Sequence, residues 1–165
     1  MNQEVLRNVT LVFLVKRTPE GVIADICLAM KKRGFGVGKM NGVGGKVEVN
    51  ETIEEAAVRE ANEEIGVYIK HLSKTAILDF YFSHNPSWNQ QVHVYLSEDW
   101  ENEPQESEEM KPEWFKMEDI PYDLMWPDDR FWLPLVLLGK LVKATFTFTE
   151  NDVITSQKII STEKF

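Results

Sequence analysis

The sequence predicts an α/β fold in which a mixed β-sheet is held between helices. Apolar runs of strand length recur along the chain, bounded by turn residues. An amphipathic helix with explicit start and stop signals interrupts them at residues 53–66, and a second helical stretch, rich in Leu and Trp, follows Trp126. No internal repeat and no linker divides the 165 residues, so residues 1–165 read as one domain, long enough for a sizeable core.

In chain order, residues 9–16 and 22–30 form two strands joined by a turn at 18–21 that contains Pro19 and Gly21. The first strand is almost continuously apolar, as expected of a strand covered on both faces. A glycine-rich loop, residues 31–45, follows and permits close backbone approaches that other residues resist. Thr52 and Glu55 make a capping box that starts a helix at Ile53, and Gly66 ends it. Residues 71–82 and 91–97 read as strands separated by the loop 84–90, and residues 98–110 as an acidic, irregular and mostly solvated segment. A short strand at 111–117 precedes a turn at 120–125. Trp126, Pro127, Asp128 and Asp129 open the last helix, which Pro134 kinks or restarts. A hairpin around Asn151 and Asp152 joins two closing strands at 145–150 and 153–160.

Composition narrows the function. A net charge of −9 argues against a surface that tracks nucleic-acid polymers, yet a single nucleotide remains compatible once a metal neutralises its charge locally. Cys27 is the only cysteine and reads as a small core residue, which suits a reducing compartment. The first residues, MNQEVLRNVT, lack the layout of a secretory signal, and no stretch reaches membrane-spanning length. The expectation is a soluble cytoplasmic protein.

The chemistry concentrates in residues 45–67. At about 100° per residue, Ile53, Ala57, Val58, Ala61 and Ile65 gather on one side of the helix. Glu60, Glu63 and Glu64 fill the adjoining arc, with Glu60 and Glu64 one turn apart and Glu64 inside the apolar edge. Like charges at this spacing repel, and carboxylates beside a core lose hydration. A divalent cation offsets both costs, and hard oxygen donors of this kind suit magnesium. Arg59 can pair with Glu63 one turn on or with Glu51 in the preceding loop, an orienting role.

The spacing Gly45-x5-Glu51-x7-Arg59-Glu60-x2-Glu63-Glu64-x-Gly66-Val67 resembles the signature of the Nudix hydrolases, which cleave nucleoside diphosphates linked to a further group. Ala61 stands where a bulkier aliphatic is usual, which implies a looser packing contact there. The resemblance implies a Nudix α/β/α sandwich and a metal held by the Gly44 carbonyl, Glu60, Glu63, Glu64 and, from the acidic segment, Glu109. The metal would be magnesium, with manganese able to substitute. Residues 30–47, 106–115 and 125–135 are further similar to the animal, MutT-like branch of the family that acts on oxidised purine nucleoside triphosphates such as 8-oxo-dGTP and 2-hydroxy-dATP. That likeness implies a base pocket lined by Thr10, Phe35, Asn41, Phe80, Phe82, Trp126, Asp128 and Asp129, with Lys31 at its mouth and Gly45 and Lys46 also on the substrate. It implies a monomer acting on a small nucleotide, with Glu60 and Glu64 as general-base candidates and pyrophosphate as a product. Asp128 and Asp129 could instead cap their helix. If both enter a partly buried pocket, one is expected to stay protonated. The loop 84–90, with Trp88 and Gln90, departs from the animal pattern and leaves the outer pocket wall open. Asn50 replaces a common loop glycine. Two other readings stay open on these residues: a Nudix enzyme for a dinucleoside polyphosphate or cap-like nucleotide, and a catalytically silent Nudix-fold binding module.

Overall fold

The structure is a computed structural model and describes residues 6–165; the expectation drawn from the first residues falls largely on positions outside this range. Strands β1 (Arg7–Arg17), β2 (Ile23–Lys31) and β3 (Met40–Asn41) come first, followed by helix α1 (Ile53–Ile65). Strands β4 (Tyr68–Phe82), β5 (Gln90–Glu101) and β6 (Met110–Lys116) lead to helix α2 (Asp129–Leu137), and β7 (Leu141–Thr149) and β8 (Val153–Thr162) close the chain. The sheet is eight-stranded, in the order β3-β2-β1-β5-β4-β7-β8, with β6 pairing β2 from off this path. It is mixed: β1–β5 and β4–β7 are parallel and the remaining pairs antiparallel.

β1 is buried on both faces. Leu11, Phe13 and Val15 point into a core completed by Trp132, Leu133 and Val136 of α2, while Val12 and Leu14 point into a second core with Ala57, Ala61 and Ile65 of α1. The alternation follows from the two-residue side-chain period of a strand. Ala61, the small residue in the signature, is fully enclosed in the second core.

The capping box forms as expected: Glu55 N donates to Thr52 Oγ1 at 3.1 Å and Thr52 N donates to Glu55 Oε1 at 3.2 Å. Gly66 closes the helix in the left-handed region at φ 72°. Several strands exceed their expected lengths because packing extends them. β5 runs on to Glu101, where Trp100 stacks on Trp114 of β6 with ring centroids 5.9 Å apart. β4 begins at Tyr68, since Ile69 is already buried. α2 passes through Pro134 without ending, because the Arg130 residue whose carbonyl loses a partner is exposed.

β1 pairs with β2 only at Val15–Arg17, so its edge nearer the N-terminus is left for another partner. The glycine-rich segment takes it, with Val12 N donating to Val43 O at 2.6 Å and Thr10 N to Gly45 O at 2.8 Å. That pairing delivers the chain to the start of α1.

Replacing Thr52 by Ala should cost about 1 kcal/mol of stability and lower the melting temperature by about 2–4 °C for a domain of this size. Thr52→Ser should recover most of it. Thermal melts followed by circular dichroism check both, and an unchanged Thr52→Ala would show that the cap contributes nothing.

Candidate active site

Two glycines bring the loop and the helix into contact. A Cβ on Gly44 would overlap the Thr10 carbonyl, so only glycine can follow β1 this closely, and a Cβ on Gly45 would stand 2.6 Å from Glu60 Oε1. Gly44 N donates to Glu64 Oε2 at 3.4 Å. Glu64 is only 4% exposed. Burial, reinforced by the charge of Glu60, pushes its carboxyl up to about 8.

Arg59 organises the neighbouring acids. Its Nε and Nη2 donate to the two oxygens of Glu51 at 2.7 and 3.0 Å, a bidentate fork. Nη1 reaches Glu60 Oε1 at 2.9 Å and Glu63 Oε2 at 3.2 Å, and Nη2 also donates to the Lys46 carbonyl at 3.1 Å. The two pairings open in the sequence are therefore both made, and Arg59 ties loop to helix. Glu51 is held below the usual carboxylate range by this guanidinium.

The acidic segment is less free than its composition suggests. Gln105 N donates to the Ile65 carbonyl at 2.8 Å, which fastens the segment to the end of α1. Ser107 Oγ accepts from Glu109 N and Met110 N at 3.2 and 3.1 Å and turns the chain back. A cavity of 280 Å³ results, lined by Glu60, Glu63, Glu64, Ser107, Glu108, Glu109 and Arg33. Among the described residues, no three metal-ligating side chains converge into a finished metal shell. Arg59 holds Glu60 and Glu63, while Arg33 holds Glu109. The donor set nevertheless suits a hard divalent cation: clustered carboxylate oxygens, one of them desolvated, beside a glycine backbone.

A second cavity of 620 Å³ adjoins this one across Gly44 and Gly45. Thr10, Lys31, Phe35, Asn41, Gly44, Gly45, Lys46, Phe80, Phe82, Trp126, Asp128 and Asp129, all expected on the substrate side or at the metal, line it together. Thr10 contributes differently from expectation, since its buried hydroxyl lies 3.3 Å from both Gly45 N and Gly45 O and so braces the loop. Asn41 Oδ1 accepts from Gly42 N at 2.8 Å, which sets the orientation of its amide. Phe35 stacks on Trp126 at 5.2 Å and 27° and meets Trp88 at 5.2 Å and 56°. Trp88 and Gln90 thus belong to the outer wall that the sequence left open.

Asp128 and Asp129 are each 2% exposed. Asp128 stands at the N-terminal boundary of α2 yet makes no side-chain capping bond. Its Oδ2 instead accepts from Trp132 Nε1 at 2.8 Å. Burial pushes Asp128 up to about 6. Burial and the Asp128 charge push Asp129 well above the carboxylate range, and Asp129 Oδ2 is buried without a hydrogen-bond partner among the described residues. Both shifts disfavour a doubly ionised pair, and Asp129 is the member held more strongly in its protonated form. Trp132, Arg33, Ser107 and Arg7, another residue lining the cavity, were not singled out from sequence. Only Trp132 left a readable signal, one helical turn after Asp128.

Residues 5–136 match the NUDIX domain model. The chain is 44% identical over 138 residues to a zebrafish (Danio rerio) protein described as oxidized purine nucleoside triphosphate hydrolase, covering 84% of this chain and 88% of that one. It is 41% identical over 140 residues to the mouse (Mus musculus) protein of the same description, covering 85% and 89%. Among solved structures, a MutT protein from Bacillus halodurans is similar with a TM-score of 0.79 at 25% identity, covering 93% of this chain and 97% of that one. The signature on α1, the mixed sheet around β1 and these likenesses together make the chain a member of the Nudix family.

Proposed function

We propose that the protein hydrolyses oxidised purine nucleoside triphosphates, 8-oxo-dGTP and 2-hydroxy-dATP among them, to the monophosphate and pyrophosphate. One observation carries the reading: two adjacent buried aspartates in the wall of an aromatic cavity that lies beside a glutamate-lined one. The descriptions of the zebrafish and mouse relatives support it.

Neutral Asp129 donates to a base edge and ionised Asp128 accepts, so the pair reads an edge that presents one donor and one acceptor. Such an arrangement suits oxidised purines, whose altered tautomers change that pattern. Trp126 and Phe35 supply ring faces for the purine. Lys31 and Lys46 line the cavity with no carboxylate partner of their own among the described ion pairs, which leaves them free for the polyphosphate.

Magnesium, with manganese as a substitute, would be held by the Gly44 carbonyl, Glu60, Glu63, Glu64 and Glu109. Once bound, it supplies charge neutralisation and polarisation of the phosphate oxygens. Arg59 keeps Glu60 and Glu63 in register with the loop. Glu60 or Glu64 takes the proton of the attacking water; the strong proton affinity that burial confers on Glu64 suits it to the task. The same reading describes a cytoplasmic monomer acting on free nucleotides. Its net charge of −9 is unsuited to polymer binding, and no helix of the described residues is long and apolar enough to cross a membrane.

Glu60→Gln and Glu64→Gln should each cut turnover by roughly a hundredfold or more, with melting temperatures showing an intact fold. Near-normal rates in both would remove the mechanism.

Trp126→Ala should lower kcat/KM for 8-oxo-dGTP by about tenfold or more, the usual worth of base stacking, and erase the preference over dGTP. Release of pyrophosphate across a panel of 8-oxo-dGTP, 2-hydroxy-dATP, O6-methyl-dGTP and dGTP measures this. A retained preference would misplace the base pocket.

The raised carboxyls also fix a sign for pH. A group whose folded pKa lies above its unfolded value contributes stability below the unfolded value and loses it as pH rises through the folded one. Metal-free protein should therefore lose melting temperature as pH climbs from about 4 through about 6 for Asp128 and about 8 for Glu64. Asp129→Asn, which cannot ionise, should flatten part of that fall. An identical slope would mean that Asp129 titrates normally.

A further inference from the structure

Among the described residues, Arg33 is the one cationic residue lining the glutamate cavity. It is 60% exposed, and its ion-pair partners among the described residues are Glu108, at 3.6 Å and 88% exposed, and Glu109, at 3.3 Å and 47% exposed. Exposed pairs of this kind contribute little and break easily. The backbone beside Arg33 is held far more firmly. Lys32 N donates to the Glu109 carbonyl at 2.8 Å, and Lys32 Nζ binds Glu106 Oε2 at 2.7 Å and the Ser107 carbonyl at 2.8 Å. The guanidinium can therefore change partner by side-chain rotation alone, while its mounting stays fixed to the acidic segment.

Glu109 cannot serve a cation fully while it also serves Arg33. We propose that Arg33 is a phosphate-binding residue of the hydrolytic site, released from Glu109 when that carboxylate takes up the metal ion and turned onto the pyrophosphate end of the substrate. The inference rests on Glu109 being a metal ligand, as argued above. A guanidinium matches phosphate oxygens with a planar fork of donors, so the new contact is stronger than the surface pair it replaces. The exchange couples two events: metal uptake at Glu109 frees the arginine, and phosphate capture by the arginine frees Glu109. Each ligand then raises the affinity of the other by the same factor. The carboxylates of this cavity are in excess over its cations, so releasing one cation to the substrate costs little once a divalent ion has arrived.

The exchange predicts effects of opposite sign in a single variant, which an arginine of merely structural importance would not produce. Calorimetric titration of the metal-free protein with magnesium should give about two- to fivefold tighter binding in Arg33→Ala, because Glu109 loses a competing partner. Titration of the magnesium-loaded protein with inorganic pyrophosphate should give binding weaker by about tenfold or more, the loss of a charge-assisted contact. Arg33→Lys should keep magnesium affinity near that of the unmodified protein and lose part of the pyrophosphate affinity. In a Glu109→Gln background, where magnesium binds more weakly, Arg33→Ala should no longer tighten it. Unchanged pyrophosphate affinity in Arg33→Ala, or weaker magnesium binding, overturns the proposal. So does a Glu109→Gln variant that binds magnesium normally. None of these titrations involves a purine, so failure of the base-pocket reading would appear separately, in the Trp126→Ala comparison.

Discussion

The site depends on a close approach between two backbones. β1 leaves part of its edge unpaired, and the segment from Val43 to Val47 closes on that edge through hydrogen bonds that require Gly44 to have no side chain. Everything catalytic is then positioned from a strand buried on both faces. Gly44 offers its N–H to Glu64, Gly45 lies against Glu60, and Arg59 reaches back from α1 to the Lys46 carbonyl and to Glu51. A helix held only by its apolar stripe could slide or rotate by a fraction of a turn. One fastened by a bidentate guanidinium to the loop before it cannot do so without breaking several charge-assisted bonds at once.

Two pairs of carboxylates lie in this one molecule, and burial acts on both in the same direction. Glu64, beside Glu60, and Asp129, beside Asp128, each resist ionisation because water is excluded and a like charge is adjacent. The surroundings resolve the two cases differently. Around the glutamates lie Ser107, exposed acids and the exposed guanidinium of Arg33, an environment open enough for a divalent ion and its waters. The aspartates are almost wholly enclosed, Trp132 donates to Asp128, and neither makes an ion pair among the described residues. The first pair calls for a metal and the second for a proton. That difference suits the first to phosphate chemistry and the second to recognising hydrogen-bonding patterns on a base.

Local chemistry was legible in the sequence; tertiary burial was not. Thr52 with Glu55 and Gly66 mark the ends of α1 because caps are satisfied within a few residues, and both ends fall where expected. Asn50, in place of a common glycine, adopts φ 66°, a conformation asparagine tolerates better than most residues. Strand ends were harder to read. β5 continues past Ser97 because β4 pairs with it as far as Tyr68–Glu101 and Trp100 stacks on Trp114, contacts that spacing along one strand cannot reveal. Asp128 and Asp129 look like helix caps to any local reading, and only the neighbouring Trp and Pro hinted otherwise. Their burial comes from packing α2 against the sheet, and the indole of Trp132 takes the bond that a cap would have made. The acidic segment misled in the opposite sense. Most of it is exposed, as its composition implies, yet the bond from Gln105 to Ile65 and the turn at Ser107 bring Glu109 back to the helix.

The two faces of β1 explain how reaction and recognition can share a wall without constraining each other. Val12 and Leu14 pack toward α1 and the glutamates, while Leu11 and Phe13 pack toward α2 and the aspartates. Substitutions around the base cavity, such as those in the loop carrying Trp88, alter side chains on the α2 side and in the β4–β5 connection. They leave the Gly44–Glu64 contact and the Arg59 network untouched, because those are anchored to the other face and to the strand edge. The signature on α1 must therefore keep its spacing, since each of its residues meets a fixed backbone position. The recognising wall need only keep its volume, its ring faces and its buried aspartates, so a departure such as the loop 84–90 can be accommodated there.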